Sequence, residues 1–366
     1  MKILIIQKRF HPNSRGIVRG LREAGHDVAM IVHSASKESF PECNPIVVPY
    51  IRSLDRLIGL LNMPKLRNRA GIPSLFRLIH AMKATKPDIV VIKKSRLPAI
   101  ISGLAAVAFG ARRILLTNSP PPKQKHRFNL AALLRGTGII TKRRIVTTAG
   151  RPGALAEDMV NGARFRPYPI ELPEISHRRD NDIGPLRLLM VGKFSSTRKR
   201  LPWLIEAAAA AGLSPSDTQI TIVGSGQDDS SGAQAVRDAA ERLGWAGSLT
   251  LRFNLPHDSM GDVYAANDIF VMTARDEPFG MVVVEAMAHG LPVICSDSVG
   301  GASCITHDEN GLIFPSDSLP GLTEELRRLA ASPSERAKLG AAARETIAQK
   351  CSPIAFARLI EEVAQS

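Results

Sequence analysis

Aromatic residues and cysteines are scarce in this chain, and each shortage excludes a class of protein. Aromatic residues make up 5% of the 366 residues, which argues against an extended stacking surface for single-stranded nucleic acid. The four cysteines stand far apart, with no C-x-x-C spacing: Cys43, Cys295, Cys304 and Cys351. We therefore expect reduced thiols in a cytosolic compartment and no structural zinc site.

Long hydrophobic runs are missing as well. The first apolar run, residues 3–6, ends before Gln7 and is too short for a signal peptide. The longest run, residues 97–111, is interrupted by Pro98, Ser102 and two glycines and falls short of a membrane span. The sequence thus predicts a globular protein that is not integral to a membrane. Its length is sufficient for two domains.

Acidic residues are few in the first half of the chain. The whole chain carries a formal net charge of +14, but residues 1–175 contribute +20 and residues 176–366 contribute −6. This asymmetry indicates an acidic partner for the first half, which could be an anionic membrane surface, a phosphorylated acceptor or nucleic acid. The alternative is a basic surface that serves solubility alone.

One stretch, RDEPFGMVVVEAMAHGLPVICSDSVGG at residues 275–301, carries the strongest pattern. The apolar residues 269–272 predict a strand, and the spacing after Gly280 predicts a helix that ends at Gly290. The residues between, from Glu277 to Gly280, therefore form a strand-to-helix turn. Open α/β sheets bind ligands at such turns, and the free N–H groups of a helix start suit a phosphate.

Two acids, Glu277 and Glu285, bracket this turn with seven residues between them. Each could be no more than a helix-capping acid. However, the order E-P-F-G-M-V-V-V-E-A-M-A-x-G-x-P-V-I resembles the signature of the retaining GT-B glycosyltransferases of family four. The resemblance implies that Glu277 contacts the donor sugar and that Glu285 holds the nucleotide ribose. It also implies a diphosphate-binding turn, made by Phe279, Gly280, Met281 and Val282.

The resemblance covers nearly all of residues 186–350 and, more loosely, the first half. It implies an α/β fold of the GT-B class, with two Rossmann-like domains that face each other across a cleft. We expect an acceptor domain at residues 1–170, a proline-rich and charged linker at 171–185, and a donor domain at 186–350. A last helix within residues 351–366 is expected to cross back to the first domain, and a further helix is predicted near residues 154–160.

Two lysines stand where the family carries the cations that bind the diphosphate. They are Lys193 and Lys199, which keep the family's spacing although the first cation is usually arginine. Because a lysine lacks the bidentate fork, Arg198 or Arg200 could supply it. The resemblance further places the base of the nucleotide at Phe253 and Asn254.

The first half departs more from the family. Gly16 stands alone where the family usually has two adjacent glycines, so it either lets the donor approach or simply opens a helix. Lys93 takes the place of the family's histidine at a strand end, and Lys93, Lys94 and Asn118 are candidate acceptor residues. Residues 50–73 are basic and amphipathic, which suits either an anionic membrane surface or a solvated helix face.

We therefore expect a retaining transfer of a sugar to a cell-envelope polysaccharide or a lipid-linked acceptor. The donor is expected to be a nucleotide sugar, by family frequency a UDP-sugar. The place would be the cytoplasm or the inner face of the cell membrane. No D-x-D motif stands at the end of a predicted strand, and the acids are not grouped as metal ligands. We therefore expect neither a metal nor another cofactor. Two rivals remain: a nucleic-acid-binding protein, which would leave the two glutamates unexplained, and a sugar-nucleotide epimerase, which would need no acceptor.

Overall fold

The computed structural model describes residues 1–10, 12–34, 44–50, 73–93, 97–117, 143–148, 159–160, 163–174 and 184–366. These residues divide into two compact units. Unit 1 comprises the described parts of Met1–Thr147, Glu157–Pro169 and Ser352–Ser366. Unit 2 comprises those of Thr148–Ala156 and Ile170–Cys351.

Within the described residues, unit 1 is built on an eight-stranded sheet. In chain order the strands are β1 (Lys2–Gln7), β2 (Asp27–Val32), β3 (Ile46–Val47), β4 (Ile89–Lys93), β5 (Arg112–Thr117), β6 (Arg144–Val146), β7 (Met159–Val160) and β8 (Ala163–Phe165). Their order in the sheet is β3-β2-β1-β4-β5-β6-β8-β7. Every pair among them is parallel except β7 with β8. The central strands are apolar on both faces, as parallel strands covered by helices require.

The predicted helix near residues 154–160 is wrong in its last two residues. Met159 and Val160 form β7 and pair antiparallel with Arg164 and Ala163 of β8. The residues between the two strands are Asn-Gly, the strongest short-range hairpin signal in a sequence. Residues 154–158 lie outside the described residues.

The helices of unit 1 are α1 (Arg15–Glu23), α2 (Leu75–Thr85), α3 (Leu97–Ala108) and, from the end of the chain, α10 (Pro353–Gln365). Helix α10 packs against α1 so closely that a Cβ on Gly20 would lie 2.1 Å from the carbonyl oxygen of Pro353. His26 Nε2, just after α1, lies 2.5 Å from Glu361 Oε1. The last fifteen residues of the chain thus belong to the unit that the first residues form.

Unit 2 contains, among its described residues, a six-stranded parallel sheet. Its strands are β9 (Leu186–Val191), β10 (Thr218–Gly224), β11 (Leu249–Phe253), β12 (Ile269–Met272), β13 (Val293–Ser296) and β14 (Leu312–Phe314). Its helices are α4 (Trp203–Ala210), α5 (Ser231–Arg242), α6 (Met260–Ala265), α7 (Met281–Ala288), α8 (Leu319–Ala331) and α9 (Pro333–Lys350). No helix that the described residues form is long and apolar enough to cross a membrane.

The strand order of this sheet, β11-β10-β9-β12-β13-β14, positions the site. The chain proceeds outward from β9 through β10 to β11 and then returns to pair β12 with β9. The direction of winding therefore reverses between β9 and β12. In open α/β sheets, ligands bind at the carboxyl ends of the strands on either side of this reversal. The loop at Lys193 follows β9, and the turn at Glu277 follows β12.

Candidate functional site

Helix α7 begins and ends at glycines in the left-handed region. Gly280, at φ +78°, precedes its first turn. At its end Gly290, at φ +71°, donates its N–H to Met287, and Leu291 donates to Ala286. These two bonds are a Schellman motif, which satisfies the last helical carbonyls. The predicted helix between Gly280 and Gly290 is confirmed, and its amino end opens at the carboxyl edge of the sheet.

The turn before α7 is held by the loop after β13. Gly300 donates its N–H to the carbonyl of Glu277 at 2.9 Å, and Gly301 donates to that of Phe279 at 2.5 Å. A Cβ on Gly300 would lie 2.1 Å from the carbonyl oxygen of Pro278. Only a glycine allows the two backbones to approach this closely, so the Gly300–Gly301 pair fixes the backbone of the turn.

The side chains of Lys199 and Glu277 meet at this turn. Lys199 Nζ donates to Glu277 Oε2 at 2.9 Å, and the two side chains are 12% and 21% exposed. The backbone around Lys199 is fixed from β12, because the buried Thr273 hydroxyl donates to the carbonyl oxygen of Lys199 at 2.7 Å and lies 3.1 Å from that of Arg200. The first loop of the unit and the turn before α7 therefore present one cation and one carboxylate side by side.

The arginines beside Lys199 differ in their surroundings. Arg200 is bound by Asp317 at 2.7 Å and lies 4.3 Å above the ring of Trp203. Arg198 is half exposed, and its guanidinium donates to the carbonyl of Asp276 at 2.6 Å. Lys193 is exposed on the same loop. Of the two arginines that could supply a bidentate fork, Arg198 is thus the one that faces solvent.

Glu285 lies in the second turn of α7 and meets a residue that the sequence analysis missed. The Tyr264 hydroxyl donates to Glu285 Oε2 at 2.7 Å. Burial raises the pKa of Glu285, while the Tyr264 hydrogen bond and the charge of His257 lower it. Burial, followed by the charge of Glu285, holds the pKa of Tyr264 well above its ordinary value. The pairing joins residues 21 positions apart, and the sequence offers no signal for it beyond a phenol in a short apolar segment.

The position expected for the base is occupied by an aromatic pair and a strained asparagine. The rings of Phe253 and Phe194 lie 4.5 Å apart. Asn254 has φ +53°, and its side-chain amide donates to the carbonyl of Gly226 at 2.7 Å and accepts from the N–H of Gly226 at 3.1 Å. These contacts fix the loop after β11 against the loop after β10.

Two candidates of unit 1 have clear packing partners. Lys93 Nζ donates to Asn13 Oδ1 at 2.7 Å and lies 4.8 Å above the ring of Tyr168. A Cβ on Gly16 would lie 2.5 Å from the carbonyl oxygen of Pro169, which by itself accounts for a glycine there. The roles of Lys93 and Gly16 toward ligands stay predictions. Lys94, Asn118 and most of residues 50–73 lie outside the described residues. Among those described, no cluster of three His, Cys, Asp or Glu side chains could hold a metal ion.

Comparison with known proteins identifies the second half of the chain. Residues 174–346 match the family model described as "Glycosyl transferases group 1". One relative is the GDP-mannose-dependent monoacylated alpha-(1-6)-phosphatidylinositol monomannoside mannosyltransferase of Corynebacterium glutamicum. The two chains are 31% identical over 176 residues, an alignment that covers 46% of this chain and 44% of that protein. This chain is 29% identical over 160 residues to a lipopolysaccharide core biosynthesis glycosyltransferase of Rhizobium meliloti, with 44% of each covered. The chain thus spans about half the length, or less, of the curated relatives it matches.

Solved structures extend the likeness to the whole chain. A glycosyltransferase from Rickettsia africae has a TM-score of 0.73 at 16% identity, over 99% of this chain and 97% of that one. The sucrose-phosphate synthase from Thermosynechococcus elongatus has a TM-score of 0.68 at 20% identity, over 99% and 98%. At such identities the likeness shows the fold, and it confirms the predicted α/β fold of the GT-B class. The chain therefore carries, at residues 174–346, a domain of the group 1 glycosyl transferases.

Proposed function

We propose that the protein is a retaining glycosyltransferase that moves a sugar from a nucleotide-sugar donor to a lipid-linked or polysaccharide acceptor of the cell envelope. The observation that carries the proposal is the pairing of Lys199 with Glu277 at 2.9 Å, directly before the first turn of α7. Glu285 follows in the second turn of that helix. A cation, a carboxylate and a helix amino end stand together at the reversal point of a parallel sheet, where diphosphates and sugars bind.

The transfer breaks the bond between the anomeric carbon and the β-phosphate oxygen and forms a bond between that carbon and the acceptor oxygen. The proton of the acceptor hydroxyl passes to the departing diphosphate, on which negative charge develops as the first bond breaks. Lys199 and the N–H groups at the start of α7 are a fixed cation and fixed dipoles for that charge, and Lys193 on the same loop adds a second cation. Fixed donors of this kind are often the largest single contribution to catalysis. Glu277, held by Lys199, accepts hydrogen bonds from sugar hydroxyls, and Glu285 accepts them from the ribose.

No metal is required in this scheme, because protein cations and the helix dipole supply the positive charge. We expect turnover to persist in the presence of a chelator such as EDTA. An activity that EDTA abolishes and Mg²⁺ restores would contradict this part of the proposal.

The base of the donor is uracil or guanine in our proposal. Family frequency favours UDP-sugars, and a solved neighbour of the same fold was crystallised in complex with UDP and glucose. Relatives from Corynebacterium glutamicum and Mycobacterium tuberculosis are described as GDP-mannose-dependent. Both bases therefore enter the first test.

The test is a thermal-shift screen of UDP, GDP, ADP and their sugars, followed by a donor-hydrolysis assay with and without added glycolipid acceptors. We expect one uridine or guanosine diphosphate to raise the melting temperature, and its sugar to be hydrolysed slowly without an acceptor. A chain that binds none of these nucleotides would contradict the proposal. Conversion of the donor to an isomeric nucleotide sugar without an acceptor would make it an epimerase instead.

The acceptor, in our proposal, lies in an anionic bilayer at the inner face of the cell membrane. Support comes from α2, which exposes Leu75, Phe76 and Ile79, and from α3, which exposes Leu104 and Val107. Phe76 is 82% exposed. Neither helix contains an acidic residue, whereas α2 carries Arg77 and Lys83 on its surface. An apolar face with cations and no anions suits a negatively charged lipid surface.

A further inference from the structure

The side chain of Tyr264 is buried, and its hydroxyl forms a hydrogen bond with Glu285. Its side chain is 1% exposed. Its ring stacks on His289 at 5.0 Å between centroids and packs at a tilt against Phe270 at 6.2 Å. The hydroxyl donates to Glu285 Oε2 at 2.7 Å. The ring is therefore fixed by packing, and the phenol fixes one oxygen of the carboxylate.

The contact between Tyr264 and Glu285 lies near one uncharged histidine and one histidine that acts through its charge. His289 lies four residues after Glu285 and so shares its face of α7. Burial, helped by the charge of Arg344, lowers the pKa of His289 to about 4, so its ring is uncharged at neutral pH. His257, ahead of α6, acts on Glu285 through its charge. The charged or titratable groups around the carboxylate are thus Tyr264, His257 and His289, with Arg344 behind the last.

We propose that Tyr264 is a positioning residue for nucleotide recognition. Its hydroxyl holds Glu285 Oε2 and thereby orients Oε1 toward the two ribose hydroxyls of the bound nucleotide. This inference rests on the proposed function, because it requires that Glu285 meets a ribose. It goes beyond that function by assigning a second residue, from a different helix, to the recognition of the nucleoside.

Two consequences follow from the hydrogen bond. A carboxylate held at one oxygen loses less rotational freedom when a ligand binds the other, so the bond favours affinity. A donor to the ionised form also lowers the pKa of the carboxyl, opposing the effect of burial. Without the hydroxyl the pKa of Glu285 rises further. The acid then takes up its proton at a higher pH and accepts fewer hydrogen bonds from the ribose.

The experiment compares the wild-type chain with Tyr264→Phe, which keeps the ring and removes the hydroxyl. Calorimetric titration with UDP and with GDP, from pH 5 to pH 8, measures the affinity. For the nucleotide that the wild type binds, we expect an affinity loss of about tenfold. The pH below which binding weakens should move upward. In turnover assays KM for the donor should rise, and kcat at saturating donor should change by less than about twofold.

A matched control removes a buried hydroxyl elsewhere in unit 2. Thr323 is 7% exposed, and its hydroxyl donates to the carbonyl of Leu319 at 2.9 Å on α8. Thr323→Val should leave both the affinity and its pH profile unchanged. In a Glu285→Gln background, Tyr264→Phe should cost little further affinity, because the charge that the hydroxyl orients is gone.

The outcomes separate the inference from the function. A wild-type chain that binds neither nucleotide contradicts both. A wild type that binds one of them, with Tyr264→Phe equal in affinity and pH profile, contradicts the positioning role alone. If Tyr264→Phe is less stable than the wild type, affinities are measured at a temperature at which circular dichroism shows the wild type and the variants to be folded. An undiminished effect of Tyr264→Phe in the Glu285→Gln background would then also contradict the role.

Discussion

At the scale of single residues, the site depends on a few side chains and glycines whose surroundings leave little choice. Lys199 and Glu277 form a hydrogen-bonded pair that is mostly buried. Burying either charge without the other would be unfavourable. The pair is therefore maintained in the free protein, and a ligand that binds there meets both charges already in place.

The first prediction concerns Lys199. Lys199→Ala should lower kcat by about 10²–10³, because it removes a fixed cation from the developing phosphate charge and leaves Glu277 without its partner. Lys338→Ala, which removes an exposed lysine from α9, is the control and should keep full turnover. Single-turnover rates measure the effect. Full activity in Lys199→Ala would refute its role toward the leaving group.

A second prediction concerns Gly280. Gly280 and Gly244 share φ +78°, but a Cβ on Gly280 would lie 3.0 Å from Val299 Cγ1, whereas a Cβ on Gly244 would meet nothing within 4 Å. Gly244→Ala should cost about 1–2 kcal/mol of unfolding free energy from the backbone alone. Gly280→Ala should cost more than Gly244→Ala, because the contact adds to the same backbone term. Urea denaturation measures the unfolding free energy of both variants. Equal losses of unfolding free energy would contradict the prediction and show that the turn accommodates the added methyl group.

At the scale of helices and strands, the parallel strands of unit 2 were predictable and the short elements were not. Strand β12 has the bounds that its continuous apolar run predicts, since both faces of such a strand are buried. Strand β9 also has its predicted bounds, although Arg187 interrupts its apolar residues. Helix α6 has six residues, too few to show a helical period. The hairpin β7–β8 was misread because apolar residues around 154–160 fit a helix when the Asn-Gly turn after them is ignored.

The part of the site that local sequence signals encode was predictable, and the contacts between different elements were not. The turn from Glu277 to Gly280 follows from local signals, namely a strand, a glycine and a helix. The contacts of Glu285 with Tyr264 and of Lys199 with Thr273 join different elements, and no local pattern encodes them. Sequence reasoning therefore found the residues of the turn and missed those that support them.

The third prediction tests one such support. Thr273 has a fully buried side chain at the end of β12 and fixes the carbonyl of Lys199. Thr273→Val keeps the shape but leaves that carbonyl without its donor, so it should cost ~1–3 kcal/mol of unfolding free energy. It should also lower kcat, because Lys199 loses its fixed position. Chemical denaturation and steady-state kinetics test both, with Thr323→Val as the isosteric control, and unchanged kcat would show that the loop holds Lys199 without Thr273.

At the scale of the whole molecule, charge separates the two halves of the chain. The excess of +20 over residues 1–175 coincides with unit 1, whose helices α2 and α3 expose apolar side chains and no acids. Except for Gly16, the residues assigned to the donor lie in unit 2. Residues 176–366, which include most of that unit, carry −6. Attraction to an anionic lipid surface would thus act on the unit that is expected to receive the acceptor.

The fourth prediction follows from that distribution. The purified chain should sediment with vesicles containing anionic lipid at low salt and less at high salt, because salt screens the attraction. Phe76→Ala should weaken the sedimentation, whereas Leu172→Ala, which removes an apolar side chain that is 41% exposed in unit 2, should not. Equal sedimentation of the two variants would exclude α2 as the contact, and no sedimentation at any salt would exclude the membrane surface.

The return of the last helix, α10, to unit 1 bears on how acceptor specificity could be exchanged between relatives. The glycosyl transferase match stops at residue 346, before the segment Ser352–Ser366. Pro353 of this segment packs directly against Gly20 of α1. In a chimaera joined at a single junction between the halves, α1 would come from one parent and α10, which packs against it, from the other. Recombination that keeps the contact between α1 and α10 must therefore take two separate stretches from one parent, the codons for residues 1–147 and those for residues 352–366.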